Sequence, residues 1–226
     1  MTEVIRINEH TWRIENDGVR MFVLEGTKEA LLVDTGMSSP EAREVAESVT
    51  KLPLKLLNTH TDRDHISGNG AFKEMYMGRK EIPDYQGPGT PIPVDEGDVI
   101  DLGERPLKVI DLPGHTNGSV ALLDVNNRVL IGGDSIQTGR IFMFGKTRHM
   151  DLYIESLTAL WENYRDQFDV VYPSHSDFPT DPAVIPGLIE GAKKIASGEL
   201  TGPVTDFHGT KIRVIDVGVA GFLYSE

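Results

Sequence analysis

The sequence contains no cysteine among its 226 residues. That absence excludes disulfide bonds, thiolate metal ligands and a cysteine nucleophile, and it is consistent with a reducing compartment. Any metal ion must therefore be bound by histidine, aspartate or glutamate. A Gly-x-Ser-x-Gly segment is also missing, which argues against the strand-turn-helix nucleophile of the common serine hydrolases.

Long apolar runs and an excess of positive charge are lacking as well. The opening residues MTEVIRINEH contain no signal-peptide core, and no run of about 18 apolar residues follows, so we expect a cytoplasmic protein without a membrane partner. Acidic side chains outnumber basic ones and give a net charge of -13 at pH 7. Because nucleic-acid binding depends on clustered lysine and arginine, this charge argues against a nucleic-acid partner and favours a small-molecule substrate. Nothing in the sequence indicates the oligomeric state.

The pattern of apolar residues predicts one domain in which strands and helices alternate. Short alternating blocks predict a meander of strands as far as Val33, followed by a helix over Glu41 to Lys51. A second strand-rich stretch leads to predicted helices from Asp151 to about Tyr164 and from Pro182 to Ala196. Two β-rich halves that each carry helices predict an α/β (α+β) protein with two sheets covered outside by helices. The segment Pro83 to Pro93 is predicted to be a surface loop.

Four of the seven histidines lie within two residues of Asp or Gly in loops that follow predicted strands. The densest cluster is His60-Thr61-Asp62-Arg63-Asp64-His65, directly after the predicted strand Leu54 to Leu57. In an extended segment, residues two apart point the same way, so His60 and Asp62 can face one metal ion while Asp64 and His65 turn to another. Imidazole and carboxylate groups bind zinc, iron or manganese, and three protein ligands per ion leave a position for water. The cluster therefore predicts a catalytic site for two metal ions.

Three further tripeptides supply the remaining candidate ligands, each at a turn after a predicted strand. They are Pro113-Gly114-His115, Gly132-Gly133-Asp134 and Pro173-Ser174-His175. A lone histidine or aspartate in such a loop usually caps a helix or forms a turn, so each tripeptide is weak by itself. Their joint occurrence with the His60 cluster is what indicates a metal site.

In this order, the motifs resemble the signature of the metallo-β-lactamase-fold hydrolases, which runs His-x-His-x-Asp-His, then Gly-His, Gly-Asp and Pro-x-His. The resemblance extends from Leu31-Leu32-Val33-Asp34-Thr35-Gly36 to His175. It implies a single domain of this fold over residues 1–226, arranged as a four-layer αββα sandwich of two mixed sheets. It also implies the ligands of each ion: His60, Asp62 and His115 for the first metal, Asp64, His65 and His175 for the second, and Asp134 as the bridge.

One position departs from the family signature, because Asp62 stands where the family usually has histidine. We expect two divalent metal ions, zinc foremost, with iron or manganese as alternatives, and Asp62 leaves open whether both sites fill equally. As the resemblance implies, a metal-bound hydroxide would attack a small ester, thioester or lactone, with Asp64 and Asp134 as catalytic residues. An aspartate at position 134 resembles the glyoxalase II, thioesterase and lactonase branches rather than the true β-lactamases.

The flavodiiron branch of the same fold offers an alternative function. Its members carry a carboxylate, glutamate, at the position of Asp62 and bind iron, so a diiron redox or sensor protein is the second hypothesis. Against it, those enzymes carry an additional flavodoxin-like domain, for which 226 residues leave no room.

Several residues near the motifs allow two interpretations. Asp34 either orients a metal-binding histidine or simply starts the turn at the end of its strand. The segment Gln137 to Met150 mixes apolar and cationic side chains, and it either lines the substrate pocket or connects two elements as a plain loop. His10 and His208 have no motif beside them and are predicted to be surface residues, whereas the role of His149 stays open.

Overall fold

The structure of the protein is a computed structural model that describes residues 2–37 and 41–225. Contacts within the chain divide it into two compact units. The first comprises the chain as far as Ile110 together with Leu122–Asn127, and the second comprises Asp111–Ala121 and the chain from Arg128 onward. The single domain expected from the sequence stays a prediction.

The first unit is built on a seven-stranded sheet in which the strands keep their chain order. They are β1 (Thr2–Asn8), β2 (Thr11–Asn16), β3 (Val19–Glu25), β4 (Ala30–Val33), β5 (Leu54–Asn58), β6 (Glu74–Gly78) and β7 (Thr90–Val94). Neighbours from β1 to β4 run antiparallel, and neighbours from β4 to β7 run parallel. After β7 the chain forms an antiparallel pair, β8 (Val99–Asp101) with β9 (Pro106–Asp111), and then β10 (Val120–Asp124).

Two helices belong to this unit, and the first was predicted. Helix α1 (Ala42–Val49) has a small-residue face, in which Ala42 and Ala46 are fully buried in a cluster with Leu32 and Leu56 of the sheet. Alanine allows the helix axis to lie close to the strands, and its helix propensity is the highest of all residues. Helix α2 (Arg63–Ile66) is a single turn that follows β5. The loop between β5 and α2 carries the densest ligand motif.

The prediction of a surface loop over Pro83 to Pro93 is wrong at its end. Residues Ile82–Asp84 form a short 3-10 turn, but Thr90–Val94 is the strand β7. β7 pairs on one side with β6 and is the last strand of its sheet. Proline lacks the N–H that an inner strand must donate, so Pro91 and Pro93 are tolerated in a strand with an open edge.

The second unit combines β11 (Val129–Gly133) and β13 (Val170–Pro173), which pair in parallel, with a separate four-stranded sheet. The order in that sheet is β12 (Arg140–Met143), β16 (Gly221–Tyr224), β15 (Thr210–Asp216) and β14 (Val204–Phe207). Helices α3 (Met150–Tyr164) and α4 (Val184–Ala196) pack against each other. Both helices were predicted, and their starting residues differ by one or two positions from the expected ones.

The predicted α/β class is confirmed, and the strands of the described residues form three sheets where two were expected. The additional sheet arises because β16 pairs with β12, a strand that lies inside the segment Gln137 to Met150, and β15 and β14 extend the sheet beyond β16. Within the described ranges, none of the helices has the length and apolar character needed to cross a membrane.

Candidate metal centre

The ligand motif lies where β5 ends and α2 begins. Residues His60 to Asp62 continue the extended direction, whereas Asp64 and His65 stand on the helical turn, so the two pairs diverge as the spacing predicts. His60 Nε2 lies 3.5 Å from Asp62 Oδ2, and His65 Nε2 lies 3.5 Å from Asp64 Oδ2. The two imidazole centroids are 4.0 Å apart. Both histidines are buried, while Asp62 and Asp64 keep 30% and 20% of their side chains exposed.

Asp34 orients both histidines of this motif, which resolves its two interpretations. Its Oδ2 accepts a hydrogen bond from His65 Nδ1 at 2.8 Å and another from Thr59 Oγ1 at 2.8 Å. The single hydroxyl proton of Thr59 is thereby used, so Thr59 Oγ1 accepts from His60 Nδ1 at 3.0 Å. Both imidazoles therefore carry their proton on Nδ1 and present the lone pair of Nε2, the form that binds metal ions.

The backbone of Asp34 shows that this arrangement costs conformational energy. Asp34 has φ 64, in the left-handed region, and is 1% exposed. A residue other than glycine held there costs on the order of 1–3 kcal/mol, and such strain is concentrated at functional sites. Its other oxygen, Oδ1, accepts the backbone N–H of Thr59 at 2.7 Å, which fixes the carboxylate at the end of β5.

A second carboxylate, Glu81, fixes the middle of the ligand loop and was not anticipated from the sequence. Its Oε1 accepts hydrogen bonds from the backbone N–H of Thr61 at 2.8 Å and from Thr61 Oγ1 at 2.6 Å. Glu81 is 1% exposed, and a buried carboxylate bound to two donors is a rigid anchor. Twenty residues of separation hide this contact from any local motif.

The other three candidate ligands follow β9, β11 and β13, as predicted. Asp134 Oδ2 lies 3.3 Å from His175 Nε2 and 3.7 Å from His115 Nε2, so one carboxylate oxygen faces two imidazoles. His115 Nδ1 donates to the carbonyl oxygen of Phe142 at 3.0 Å, which again directs the lone pair of Nε2 toward the carboxylate. Asp134 and His115 are buried, and His175 is 24% exposed.

Gln137 ties the loops of Asp134 and His175 together. Its Nε2 donates to the carbonyl oxygens of Asp134 at 3.3 Å and Arg140 at 3.2 Å, and its Oε1 accepts from Ser176 Oγ at 3.2 Å. Gln137 is 1% exposed. A Cβ atom on Gly139 would stand 1.8 Å from Ser176 Oγ, so glycine is required where these loops meet. Neither Gln137 nor Gly139 belongs to a ligand motif.

Two structural features hold the backbone beside His115 and Asp134. Gly114 has φ 132, and a Cβ atom there would stand 2.4 Å from the backbone of Tyr153 in α3. The Tyr153 hydroxyl donates to the Ser135 carbonyl at 2.8 Å. Burial raises the pKa of Tyr153 far above its ordinary value, so the hydroxyl remains a protonated donor at any physiological pH. The small residue in Pro113-Gly114-His115 therefore permits close packing of this loop against α3.

The seven predicted residues fall into two groups of potential ligands. Asp64, His65, Asp134 and His175 form one group, and His60, Asp62 and His115 form the other. Within each group, one ligand atom per residue lies within 4.8 Å of the others. Two atoms bound at about 2.0 to 2.2 Å to one tetrahedral ion stand about 3.3 to 3.6 Å apart, close to the histidine–aspartate separations measured here. The nitrogen and oxygen donors therefore fit divalent metal ions such as zinc, manganese or ferrous iron.

The remaining histidines do not join these groups. His10 Nδ1 lies 3.3 Å from Glu25 Oε2 and its side chain is 58% exposed, as predicted for a surface residue. His208 is exposed and packs its ring on Phe207. His149 precedes α3, where its Nε2 lies 3.0 Å from Asn117 Oδ1 and its N–H donates to the Gly114 carbonyl. Its role is to hold the loop that carries His115.

The fold and the paired histidine and aspartate ligands define a class of protein: the chain belongs to the metallo-beta-lactamase superfamily, whose sequence profile matches residues 15–84 and 74–175. It is 34% identical over 152 residues to a hydroxyacylglutathione hydrolase from Gloeobacter violaceus, covering 62% of this chain and 58% of that protein. It is 25% identical over 200 residues to the acyl-coenzyme A thioesterase MBLAC2 of Homo sapiens, covering 69% and 72%. The match thus spans little more than half the length of the Gloeobacter relative.

Solved structures show the same fold. A metallo-beta-lactamase from Pontibacter korlensis superposes with a TM-score of 0.72 at 19% identity, covering 85% of this chain and 99% of that one. A metallo-beta-lactamase from Hirschia baltica superposes with a TM-score of 0.67 at 16% identity, covering 84% and 96%. At such identities the similarity establishes the architecture alone.

Proposed function

We propose that the chain is a dinuclear metal-dependent hydrolase that cleaves small thioesters. The observation that carries the proposal is the position of Asp134, whose Oδ2 faces both His175 Nε2 and His115 Nε2. These two histidines fall in different ligand groups. A carboxylate placed between two metal-binding imidazoles is suited to bridge two ions, and an isolated single-metal site does not need such a bridge.

In this proposal each group holds one ion. His60, Asp62 and His115 would hold the first, and Asp64, His65 and His175 would hold the second, with Asp134 shared. Three protein ligands per ion, together with the shared Asp134, would leave a position at each ion for water, as catalytic sites require. Bound divalent ions supply Lewis acidity, which lowers the pKa of water toward neutrality and polarises the substrate carbonyl.

The chain's own residues would position the reactants and handle the proton. Water adds to the thioester carbonyl carbon, the C–S bond breaks, and the products are a carboxylic acid and a thiol. The Asp64 carboxylate is partly exposed, so its Oδ1 could accept the proton of the attacking water while Oδ2, the oxygen that faces His65 Nε2, would hold the ion. The proton could then pass to the departing thiolate sulfur. Asp134 holds the attacking water in place as a hydrogen-bond acceptor. Asp34 and Phe142 keep the histidines in the required tautomer.

Relatives favour a thioester over the ester and lactone substrates that the residues equally allow. One related protein is named a hydroxyacylglutathione hydrolase and another an acyl-coenzyme A thioesterase. Both names denote release of a thiol from an acyl group. A small acyl thioester is therefore the substrate class that we assign to this chain, with zinc as the expected metal and manganese or iron as alternatives.

The test is release of a free thiol from a panel of small acyl thioesters, measured with a thiol reagent on protein of known metal content. We expect turnover that a chelator abolishes and that added divalent metal restores. Turnover that survives complete metal removal, or a panel without any turnover at two bound ions per chain, would overturn the proposal.

A diiron redox or sensor protein is the second candidate, and Asp62 favours it. The Asp62 carboxylate would be a harder and more negative ligand than the imidazole that the family usually has at this position. Such a ligand suits ferrous iron relatively better. The absorption spectrum of the purified protein separates the two candidates, because a zinc site is colourless and an oxo-bridged diiron centre absorbs visible light. Consumption of oxygen or nitric oxide by the iron-loaded protein, without thioester turnover, would favour the second candidate.

A further inference from the structure

An aromatic cluster lies in the second unit, next to one of the candidate metal ligands. It consists of Phe142, Phe144 and Phe207, whose ring centroids are 5.6 to 5.8 Å apart in tilted and edge-to-face arrangements. Phe142 and Phe144 come from β12 and the residue after it, and Phe207 ends β14. All three rings are partly exposed. An apolar surface of this kind is uncommon beside a polar site in an acidic protein, and such surfaces mark binding sites.

The local sequence explains why these rings face outward. In β12, Ile141 and Met143 are buried while Phe142 between them is only partly buried, so alternation directs Phe142 to the opposite side. In β14, Phe207 is the only residue that is not exposed. Phe207 is therefore the residue through which β14 joins the cluster. The ring of His208 packs edge-on against Phe207 at 4.6 Å and lies at the border of the cluster.

Phe142 connects the cluster to the metal centre. Its carbonyl oxygen accepts the Nδ1 hydrogen of His115 at 3.0 Å, while its ring belongs to the cluster. The same residue thus orients a candidate ligand with its backbone and presents an apolar ring with its side chain. Phe142 therefore links the cluster to the candidate ligand His115.

On this basis we propose that the aromatic cluster binds the acyl group of the thioester, so that turnover becomes more efficient as the acyl chain lengthens from acetyl to octanoyl. The inference rests on the proposed thioester hydrolysis and specifies which half of the substrate the cluster contacts. Three phenylalanine rings offer apolar area and no charge, so they suit a hydrocarbon chain. The thiol half of a glutathione or coenzyme A thioester carries several charged groups, and contact of those groups with such a surface would cost hydration energy.

The test is a series of acyl thioesters of N-acetylcysteamine with acetyl, butyryl, hexanoyl and octanoyl groups. Burial of one methylene contributes about fourfold in affinity when complete, so we expect kcat/KM to rise about twofold to fourfold per methylene. Phe207→Ala should remove most of this rise, so that the ratio of kcat/KM for the octanoyl substrate to kcat/KM for the acetyl substrate falls toward one. Val204→Ala is the matched control, because Val204 lies on the same strand, is 45% exposed and belongs to no cluster contact described here.

Folding and binding are checked separately from turnover. Circular dichroism and the melting temperature establish whether Phe207→Ala is folded, and Phe207→Leu and Phe144→Leu keep apolar volume if it is not. Titration of the metal-free protein with octanoate should shift the aromatic NMR signals of the cluster and leave those of Tyr76 unchanged. Equal chain-length dependence in the parent and the phenylalanine variants would overturn the inference while thioester hydrolysis stands. If no thioester is turned over, the proposed function fails, and the octanoate titration alone decides whether the cluster binds acyl groups.

Discussion

The carboxylate of Asp34 accepts the Nδ1 hydrogen of His65 at 2.8 Å, and through Thr59 it also fixes the tautomer of His60. One buried carboxylate therefore prepares a histidine in each of the two ligand groups. Outer residues of this kind set the orientation and basicity of the ligands that contact a metal ion, and their loss weakens metal binding strongly. Asp34 should thus affect both metal ions although it belongs to neither group.

The first prediction is that Asp34→Asn weakens the binding of both ions. Asparagine keeps the shape and tolerates the left-handed backbone, but its NH2 group must face one of three hydrogen-bond donors. We expect metal affinity to fall by about 10-fold to 100-fold, measured by competition with a chromophoric chelator. Asp17→Asn is the matched control, because Asp17 also has a positive φ and is exposed. Unchanged affinity in Asp34→Asn would show that the hydrogen bonds do not support the site.

The second prediction concerns stoichiometry. His115→Ala and His175→Ala should each lower the metal content from about two ions per chain to about one, whereas Asp134→Ala should lower the affinity for both. The physical reason is that, in the proposed assignment, each histidine would bind one ion and the aspartate would bind both. Metal analysis after equilibration against a weak chelator measures this. If both histidine variants retained two ions and the parent stability, the assignment of these ligands would be wrong.

The third prediction is that Asp62 tunes the choice of metal. Replacing Asp62 by histidine exchanges an anionic oxygen ligand for a neutral nitrogen, so the affinity ratio of manganese to zinc should fall. The comparison is made between the parent and Asp62→His at the same ionic strength and pH. Equal ratios in the two proteins would mean that Asp62 contributes nothing to the selectivity and that another group completes the first site.

The fourth prediction is that Gln137 stabilises the fold as well as the site. Gln137→Ala leaves the carbonyl groups of Asp134 and Arg140 and the Ser176 hydroxyl without this buried partner, which should cost about 1–3 kcal/mol in the free energy of unfolding. Urea denaturation measures the change. Gln167→Ala is the control, because exposed Gln167 makes a single hydrogen bond to the Asn163 carbonyl and should change stability by at most about 0.5 kcal/mol. A similar loss of stability in both variants would show that the buried hydrogen bonds of Gln137 have no special stabilising role.

The sequence predicted the helices and the densest cluster of candidate ligands because both depend on short spacings. His60 to His65 are neighbours in the chain, and Ala42 and Ala46 are one helical turn apart. β7 was missed because Pro91 and Pro93 normally signal a loop, and only its place at the edge of the sheet makes them acceptable. β12, which belongs to the four-stranded sheet, was also missed, because it lies inside a segment without clear periodicity.

Residues that support the ligands could not be predicted, because their contacts join distant parts of the chain. Glu81 reaches Thr61 across 20 residues, and Phe142 reaches His115 across 27. A buried glutamate in a loop or a backbone carbonyl carries no local signal of such a contact. Asp34 was the exception, since it follows a buried strand in a motif of the family, and its two interpretations were separated by hydrogen bonds to Thr59 and His65.

The central claim is that hydrolysis depends on two bound ions, and a metal titration tests it most directly. Metal-free protein is titrated with zinc while bound zinc and the rate of thiol release from a hexanoyl thioester are followed together. The account predicts that binding saturates at about two ions per chain and that the rate rises mainly with the second ion, because Asp134 would then hold both ions. Full activity at one ion per chain, or full activity with none, would contradict the account.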